Sequence, residues 1–256
     1  MAYIGSTEYL IEVAKGNIAG ASIIHKFGAN FALGGNYAPV TIGGIYQTPQ
    51  VAGAVTLRVK AGNTNDTAAG SGAREITIQG LDATGALQTA SVATAGTSAS
   101  ANFTGTWLRV FRVWVSASGT YASSIAGSHN SAIVIESTAP TNYATIDATS
   151  FPKGQSQIGA YTVPLGFTAY LLDYASTVDS TKSVDFIFFK RENILETAAP
   201  YTAMRTVFQN RGQENSFTRR FLEPIKFEAL TDIGVMGKGS GTPEVTVDFN
   251  LLLIAD

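Results

Sequence analysis

The sequence contains no cysteine, only two histidines and few charged residues. Without cysteine, the chain has no disulfide framework, no thiolate zinc site and no cysteine nucleophile. His25 and His129 are far apart in sequence, so a histidine-only metal site within one chain is not expected. The net charge of −2 provides no global basic field, which argues against direct nucleic-acid binding. We therefore expect no metal and no cofactor.

Long hydrophobic runs are also missing. No segment reaches the roughly 18 uninterrupted apolar residues of a membrane-spanning helix, so no membrane association is expected. The opening Met1-Ala2-Tyr3-Ile4 has no basic region followed by an apolar core, which predicts that it is not a secretion signal. We expect the chain to fold in the compartment where it is synthesised.

Charged residues make up only 14% of the 256 residues, whereas hydrophobic residues make up 45%. A soluble monomer usually carries ~25% charged residues. Two interpretations of this deficit remain open. Either much of the surface is covered by other subunits, or the chain is a β protein of biased composition. The hydrophobic content is high enough to bury a core, which argues against disorder.

The first 54 residues predict a short helix followed by an extended arm. Ser6 or Thr7 can cap the helix, and Gly16 can end it. Residues 17–54 then contain seven glycines and little regular patterning. We expect this arm to lie on neighbouring subunits rather than on its own domain.

From residue 55 onward, apolar and polar residues alternate with period two, as in half-buried strands. Turn signals separate these segments, and residues 137–150 resemble a linker. The predicted fold is mainly β, with two antiparallel, jelly-roll-like β-sandwich domains at 55–145 and 146–256. The predicted strands of the second domain begin near residues 157, 168, 184, 203, 216, 225, 232 and 245.

No motif of the sequence predicts catalysis. The glycine-rich stretches at 70–72 and 237–241 fit neither the P-loop nor the dinucleotide pattern. There is no Gly-x-Ser-x-Gly elbow for a serine nucleophile. Acidic residues between Asp173 and Glu196 cluster in sequence, but their strand and turn positions favour solvated surface. We predict that the protein is not an enzyme and has no catalytic residues.

Arg109 and Arg112 lie within the apolar segment Thr106 to Val115. Because they are three positions apart in a strand, they are expected to point to opposite faces. A charge in so apolar a strand needs a partner or an interface. The alternative is that the side chains reach past the sheet edge to solvent, and the sequence does not separate the two.

Several segments resemble a family of tailed-bacteriophage virion structural proteins of the capsid-decoration or head-fibre type. The resemblance covers most of the chain and rests on structural rather than chemical motifs. It lies in KGNIAG at 15–20, HKFGAN at 25–30, NDTAAGSGAR at 65–74, IQGLD at 78–82, WLRVFR at 107–112, IGAYTVP at 158–164 and the ending at 247–253.

The resemblance implies a protein that is made in the host cytoplasm and resides on the virion capsid surface. Its expected function is that of a decoration, or cement, protein that clamps major-capsid subunits through its N-terminal arm. Its expected partners are the major capsid protein and further copies of itself, as a homotrimer. The predicted partner-binding residues are Ile18, Ile23, His25, Lys26, Phe27, Asn30, Phe31, Arg109 and Arg112.

Two other functions remain open at this stage. A tail, neck or fibre protein that binds a host receptor or glycan would suit the same β-rich composition, with Tyr170, Tyr174 and Tyr201 as groove candidates. A polysaccharide depolymerase is the third option. It is disfavoured because no repeat of 20–50 residues is present.

Overall fold

The computed structural model describes residues 6–120, 128–148, 154–179 and 181–256, without the side chains of Ser6 and Thr7. The expectations for Met1 to Ile4 and for the helix-capping side chains therefore lie outside the described residues. The described chain is mainly antiparallel β-structure with one short N-terminal helix, which confirms the predicted fold class.

The described residues form, in chain order, one α-helix and fifteen strands, together with a short 3-10 helix at Ile42–Gly44. Their bounds are α1 Ser6–Ala14, β1 Ala21–Asn30, β2 Ala38–Pro39, β3 Leu57–Ala61, β4 Ala73–Leu81, β5 Leu87–Ala93, β6 Arg109–Ser118, β7 Ile133–Ser137, β8 Asn142–Ile146, β9 Ala160–Thr162, β10 Phe167–Val178, β11 Val184–Arg191, β12 Arg205–Gln213, β13 Ser216–Phe227, β14 Asp232–Gly239 and β15 Val245–Ala255.

Helix α1 ends where the sequence predicts. Gly16 has a φ of 77°, a left-handed conformation that glycine adopts without steric cost. Its N–H donates to the carbonyl of Val13, and the N–H of Asn17 donates to the carbonyl of Glu12, both at 2.9 Å. This is the Schellman pattern of helix termination. Val13 is buried, so the helix is held by packing as well.

Eight strands form a jelly roll. One sheet has the order β1-β15-β10-β13, and the other has the order β12-β11-β14-β2 with β9 beside β14. If the eight strands β1, β2 and β10 to β15 are numbered 1 to 8, the two sheets read 1-8-3-6 and 2-7-4-5. Apart from β11 and β12, paired strands are not consecutive in sequence, as in a double-sheet jelly roll.

The N-terminal segment is not the extended arm that the sequence predicts. Residues Ala21–Asn30 form β1, which pairs along its full length with the last strand, β15. The prediction failed because only Ile24 contributes a large apolar side chain to the core-facing row that also holds Lys26 and Gly28. The pairing is favoured instead by β15, whose backbone edge would be left without hydrogen-bond partners if β1 were absent.

The structure also differs from the predicted arrangement of two domains that follow each other in sequence. Strands β3 to β8 form a separate small sandwich, with one sheet β3-β7-β8 and another β5-β4-β6. This sandwich lies between β2 and β9 in sequence, so it is an insertion into the jelly roll. Strand β8 falls within the residues predicted as a linker, because the Thr-rich and Ala-rich composition hides a five-residue strand.

Two hydrophobic cores correspond to the two sandwiches. The jelly-roll core is filled by large aromatic side chains, among them Tyr174, Phe188 and Phe249, each no more than 1% exposed. The inserted sandwich packs around Trp107, which is fully buried. Strand β6 joins the two cores, since Phe111 packs in the first and Val113 in the second.

Candidate functional site

Arg109 is not a surface contact. It lies at the start of β6, is 1% exposed, and pairs with the fully buried Asp232 at the start of β14. The Nη2 of Arg109 lies 2.7 Å from Oδ2 of Asp232, and its Nε donates to both carboxylate oxygens at 3.0 and 3.2 Å. The predicted need for a partner is correct, but the partner belongs to the same chain.

Three hydroxyl groups complete this buried network around Asp232. Thr48 and Thr162 donate to its carboxylate at 2.6 and 2.5 Å, and the hydroxyl of Tyr46 donates at 3.2 Å. Burial, and then the Asp232 charge, raise the pKa of Tyr46 well above its ordinary value. Burial alone would lower the pKa of Arg109, but the Asp232 carboxylate outweighs it and the pKa is raised. The network joins the inserted sandwich, the 40–54 segment and the jelly roll.

Lys26 is also internal rather than partner-facing. Its side chain is 4% exposed on the core side of β1, and its Nζ donates to the carbonyl of Phe111. The same ammonium lies 5.8 Å from the centroid of the Phe111 ring. No carboxylate of the described residues forms an ion pair with it. Burial, and then the charge of Arg112, lower the pKa of Lys26 well below its ordinary value.

Asn30 ends β1 as a buried residue. Its side chain accepts a hydrogen bond from the backbone N–H of Ala32 at 3.0 Å and donates to the carbonyl of Pro39 at 3.3 Å. The prediction that Lys26, Asn30 and Arg109 contact a partner is therefore wrong for the folded chain. The side chains of all three are buried and form hydrogen bonds within the chain.

The other predicted partner-binding residues stay accessible. Ile18 is half-buried in the turn between α1 and β1, and Phe31 lines an open cleft of about 460 Å³. Arg112 is half-buried and donates to the carbonyl of His25 at 3.2 Å. Ile23, His25 and Phe27 lie on the outer face of the first sheet. Their role as contacts stays a prediction.

The outer face of the β1-β15-β10-β13 sheet carries a row of polar side chains. His25, Asn250 and Asp173 occupy paired register positions on β1, β15 and β10. The Nδ1 of His25 lies 2.9 Å from Oδ1 of Asn250, and Nδ2 of Asn250 donates to both oxygens of Asp173 at 2.9 and 3.1 Å. The alternation of β15 places Asp248 and Asn250 on this face, a signal that was present in the sequence.

Strands β12 and β13 form an exposed margin of the jelly roll. They occupy the last position in their sheets, and most of their residues are exposed. Between Leu171↔Ile225 and Asp173↔Arg220 the register shifts, so that residues 221–224 form a bulge opposite the single residue Leu172. This bulge carries Leu222, which is 98% exposed. No pattern in the sequence marked Leu222, because its exposure depends on the register of the pairing.

The described residues contain no group of three or more potential metal ligands. Among them, no helix is long and apolar enough to cross a membrane. Tyr174, one of the predicted sugar-groove residues, is 1% exposed and packs in the aromatic core. The ring of Tyr174 is therefore not exposed to stack against a sugar.

No protein-family model matches the chain, and no curated protein matches it. A structure of infectious bursal disease virus strain Gx is similar over 92% of this chain and 71% of that chain, at 12% identity and a TM-score of 0.25. A structure of strain Gt of the same virus is similar over 91% of this chain and 75% of that chain, at 8% identity and a TM-score of 0.21. The insecticidal delta-endotoxin Cry8Ea1 from Bacillus thuringiensis is similar over 86% of this chain and 54% of that chain, at 11% identity and a TM-score of 0.21. At TM-scores this low, the likenesses carry no argument about function.

Proposed function

We propose that the protein is a non-enzymatic virion structural subunit, and specifically a decoration protein of a bacteriophage capsid. The observation that carries the proposal is the exposed β12–β13 margin with its protruding Leu222. A large apolar side chain held 98% exposed on a defined strand bulge suits insertion into a pocket of another subunit. Side chains fill the jelly-roll interior, so this core stabilises the fold and is not proposed to bind a ligand.

The mode of attachment differs from the one that the sequence suggests. Because β1 is part of the jelly roll, residues 21–30 are not free to extend across neighbouring capsid subunits. The β12–β13 margin replaces it as the proposed contact with the major capsid protein. Pro224 and the charged residues around the bulge oppose continuous strand pairing at this edge. The proposed contact is therefore made by side chains and not by sheet extension.

The remaining parts of the proposal concern assembly and location. The chain is made in the host cytoplasm and joins the capsid surface, where local three-fold axes provide closed seats for a homotrimer. Low overall charge supports a surface that is partly covered in the assembled particle.

Quantitative mass spectrometry of purified virions tests this function. We expect the chain in a copy number comparable to that of the major capsid protein, together with loss of particle stability when the gene is deleted. A copy number of about a dozen, as a single closed ring at one vertex would give, contradicts a decoration role and favours the tail, neck or fibre alternative. Absence of the chain from particles contradicts the virion role altogether.

A further inference from the structure

The side chains of His25, Asn250 and Asp173, on the outer face of the first sheet, hold one another in place through hydrogen bonds. An ionised carboxylate only accepts hydrogen bonds, so the two contacts to Asp173 fix the Asn250 amide with its oxygen toward His25. The Nδ1 of His25 must then carry the hydrogen. In the neutral imidazole, Nε2 is then left as an acceptor. The side chains of this row therefore present a defined set of hydrogen-bonding atoms.

Asp248 lies beside this row and has unused hydrogen-bonding capacity. None of the described residues donates a hydrogen bond to its carboxylate, although the side chain is half-buried on β15. Burial raises the pKa of Asp248, the neighbouring His25 lowers it, and the Asp173 charge raises it, with a net increase. A partly desolvated carboxylate without a donor favours any ligand that supplies one.

Two open clefts meet at Asp248. One, of about 430 Å³, is lined by His25, Phe27 and Gln157 among others. The second, of about 340 Å³, is lined by Leu10 of α1 and by Arg220 of β13. The guanidinium of Arg220 also has no hydrogen-bond acceptor within the part of the chain that the structure describes. The surface thus combines free acceptors, a free donor and apolar patches.

We propose that this face binds a neutral saccharide. A sugar ring presents hydroxyl donors and acceptors at its edge, which match Asp248, His25 and Arg220, and C–H groups on its faces, which match the ring of Phe27. Asp173 and Asp248 repel an anionic ligand. The polar lining does not suit an apolar peptide. The described residues contain no group of three or more side chains that could hold a metal ion, which disfavours a cation as the ligand.

This binding site goes beyond the proposed structural role and does not depend on it. The site lies mainly on β1, β10 and β15 and reaches Arg220 of β13, whereas the proposed capsid contact centres on Leu222 of the β13 bulge. A saccharide site on the outer face would let an assembled subunit attach weakly to a glycan-coated surface.

The test uses the full-length protein and a panel of glucose, galactose, mannose, N-acetylglucosamine and their linear oligomers. Binding is measured by isothermal titration calorimetry and by NMR chemical-shift mapping. We expect at least one oligomer to bind with a Kd on the order of 1 mM, and shifts at His25 and Asp248. Asp248→Asn and Phe27→Leu should each weaken binding at least about tenfold, as expected when a charged hydrogen bond or an aromatic contact is lost.

Matched controls separate this site from general surface effects. Glu223→Gln removes one exposed negative charge from the β13 bulge, and Tyr37→Leu removes a half-exposed aromatic ring elsewhere. Neither should change the Kd. Failure of every probe to bind, equal loss in the controls, or tighter binding of uronic-acid or sulfated oligomers would each overturn the proposal. Shift mapping on the unmodified protein keeps the test valid even if a variant fails to fold.

Discussion

The guanidinium of Arg109 and the carboxylate of Asp232 form an ion pair that is almost completely removed from solvent. Their closest atoms lie 2.7 Å apart, and the side chains are 1% and 0% exposed. The two residues are 123 positions apart in sequence. The pair therefore fastens the inserted sandwich to the jelly roll, and loss of one partner would leave a buried charge uncompensated.

Asp232→Asn should lower the free energy of unfolding by about 3–5 kcal/mol, the usual cost of breaking a buried pair by removing one charge. Urea denaturation of both proteins measures this difference. Glu228→Gln serves as the control, because its ion pair with Lys226 joins side chains that are 69% and 52% exposed. That change should cost less than about 1 kcal/mol. Equal losses in the two variants would contradict the assigned role of Asp232.

Lys26 should make stability depend on pH in the window between its lowered folded pKa and the ordinary lysine pKa of about 10.4. Burial lowers its folded pKa, so in this window the unfolded chain binds more protons than the folded chain. Stability therefore rises with pH across the window. Lys26→Met should remove this rise, which chemical denaturation at several pH values would measure.

Lys60→Met is the control for this prediction, since Lys60 is an exposed lysine of β3. It removes one positive charge without emptying a buried site. The pH dependence of its stability should match that of the unmodified protein. If Lys26→Met keeps the original pH dependence, Lys26 is not the group responsible.

Gly28 should not tolerate a side chain. A Cβ at this position would lie 2.1 Å from the carbonyl oxygen of Val40 and 2.2 Å from the backbone nitrogen of Gly159. Both obstacles are backbone atoms, which cannot rotate away. We expect Gly28→Ala to destabilise the protein by about 1–3 kcal/mol or more. Thermal unfolding would show this loss, while Gly34→Ala, with no atom within 4 Å of its added Cβ, should change little.

Leu222→Ser should leave the free energy of unfolding within about 0.5 kcal/mol of the original value, because the side chain makes almost no internal contact. If the β12–β13 margin contacts the capsid, the same change should weaken attachment to capsid shells by at least about tenfold. Co-sedimentation with shells that lack the protein measures this. Leu87→Ser, at a leucine 48% exposed in the inserted sandwich, is the control. Full retention of the Leu222 variant would contradict the proposed contact surface.

The sequence was most informative where alternation was regular. The segment that became β15 carries apolar residues at every second position from Val245 to Leu253, and it is a strand at the predicted place. The end of α1 was equally readable, because Gly16 supplies a conformation that few other residues adopt. These features depend on neighbours in sequence, which is why they can be read locally.

Prediction failed where long-range partners determine the structure. Strand β1 has a mixed core-facing row, so its sequence resembles an irregular arm until β15 is placed beside it. Lys26 and Asn30, which belong to the predicted arm and are predicted to bind a partner, instead face inward. The exposure of Leu222 cannot be read from the sequence for a related reason, since it depends on the register shift against β10.

By itself, the sequence determined the chemistry that is unavailable to the protein, the β-rich class of the fold and the approximate positions of most strands. Composition and period-two alternation are properties of the chain alone, so no tertiary information was needed for them. Only the tertiary structure decided that the N-terminal strand completes the jelly roll, that the first sandwich is an insertion and that Arg109 is neutralised by Asp232. Each of these depends on strand pairing between distant segments, and the buried surface that drives such pairing exists only once the chain has folded.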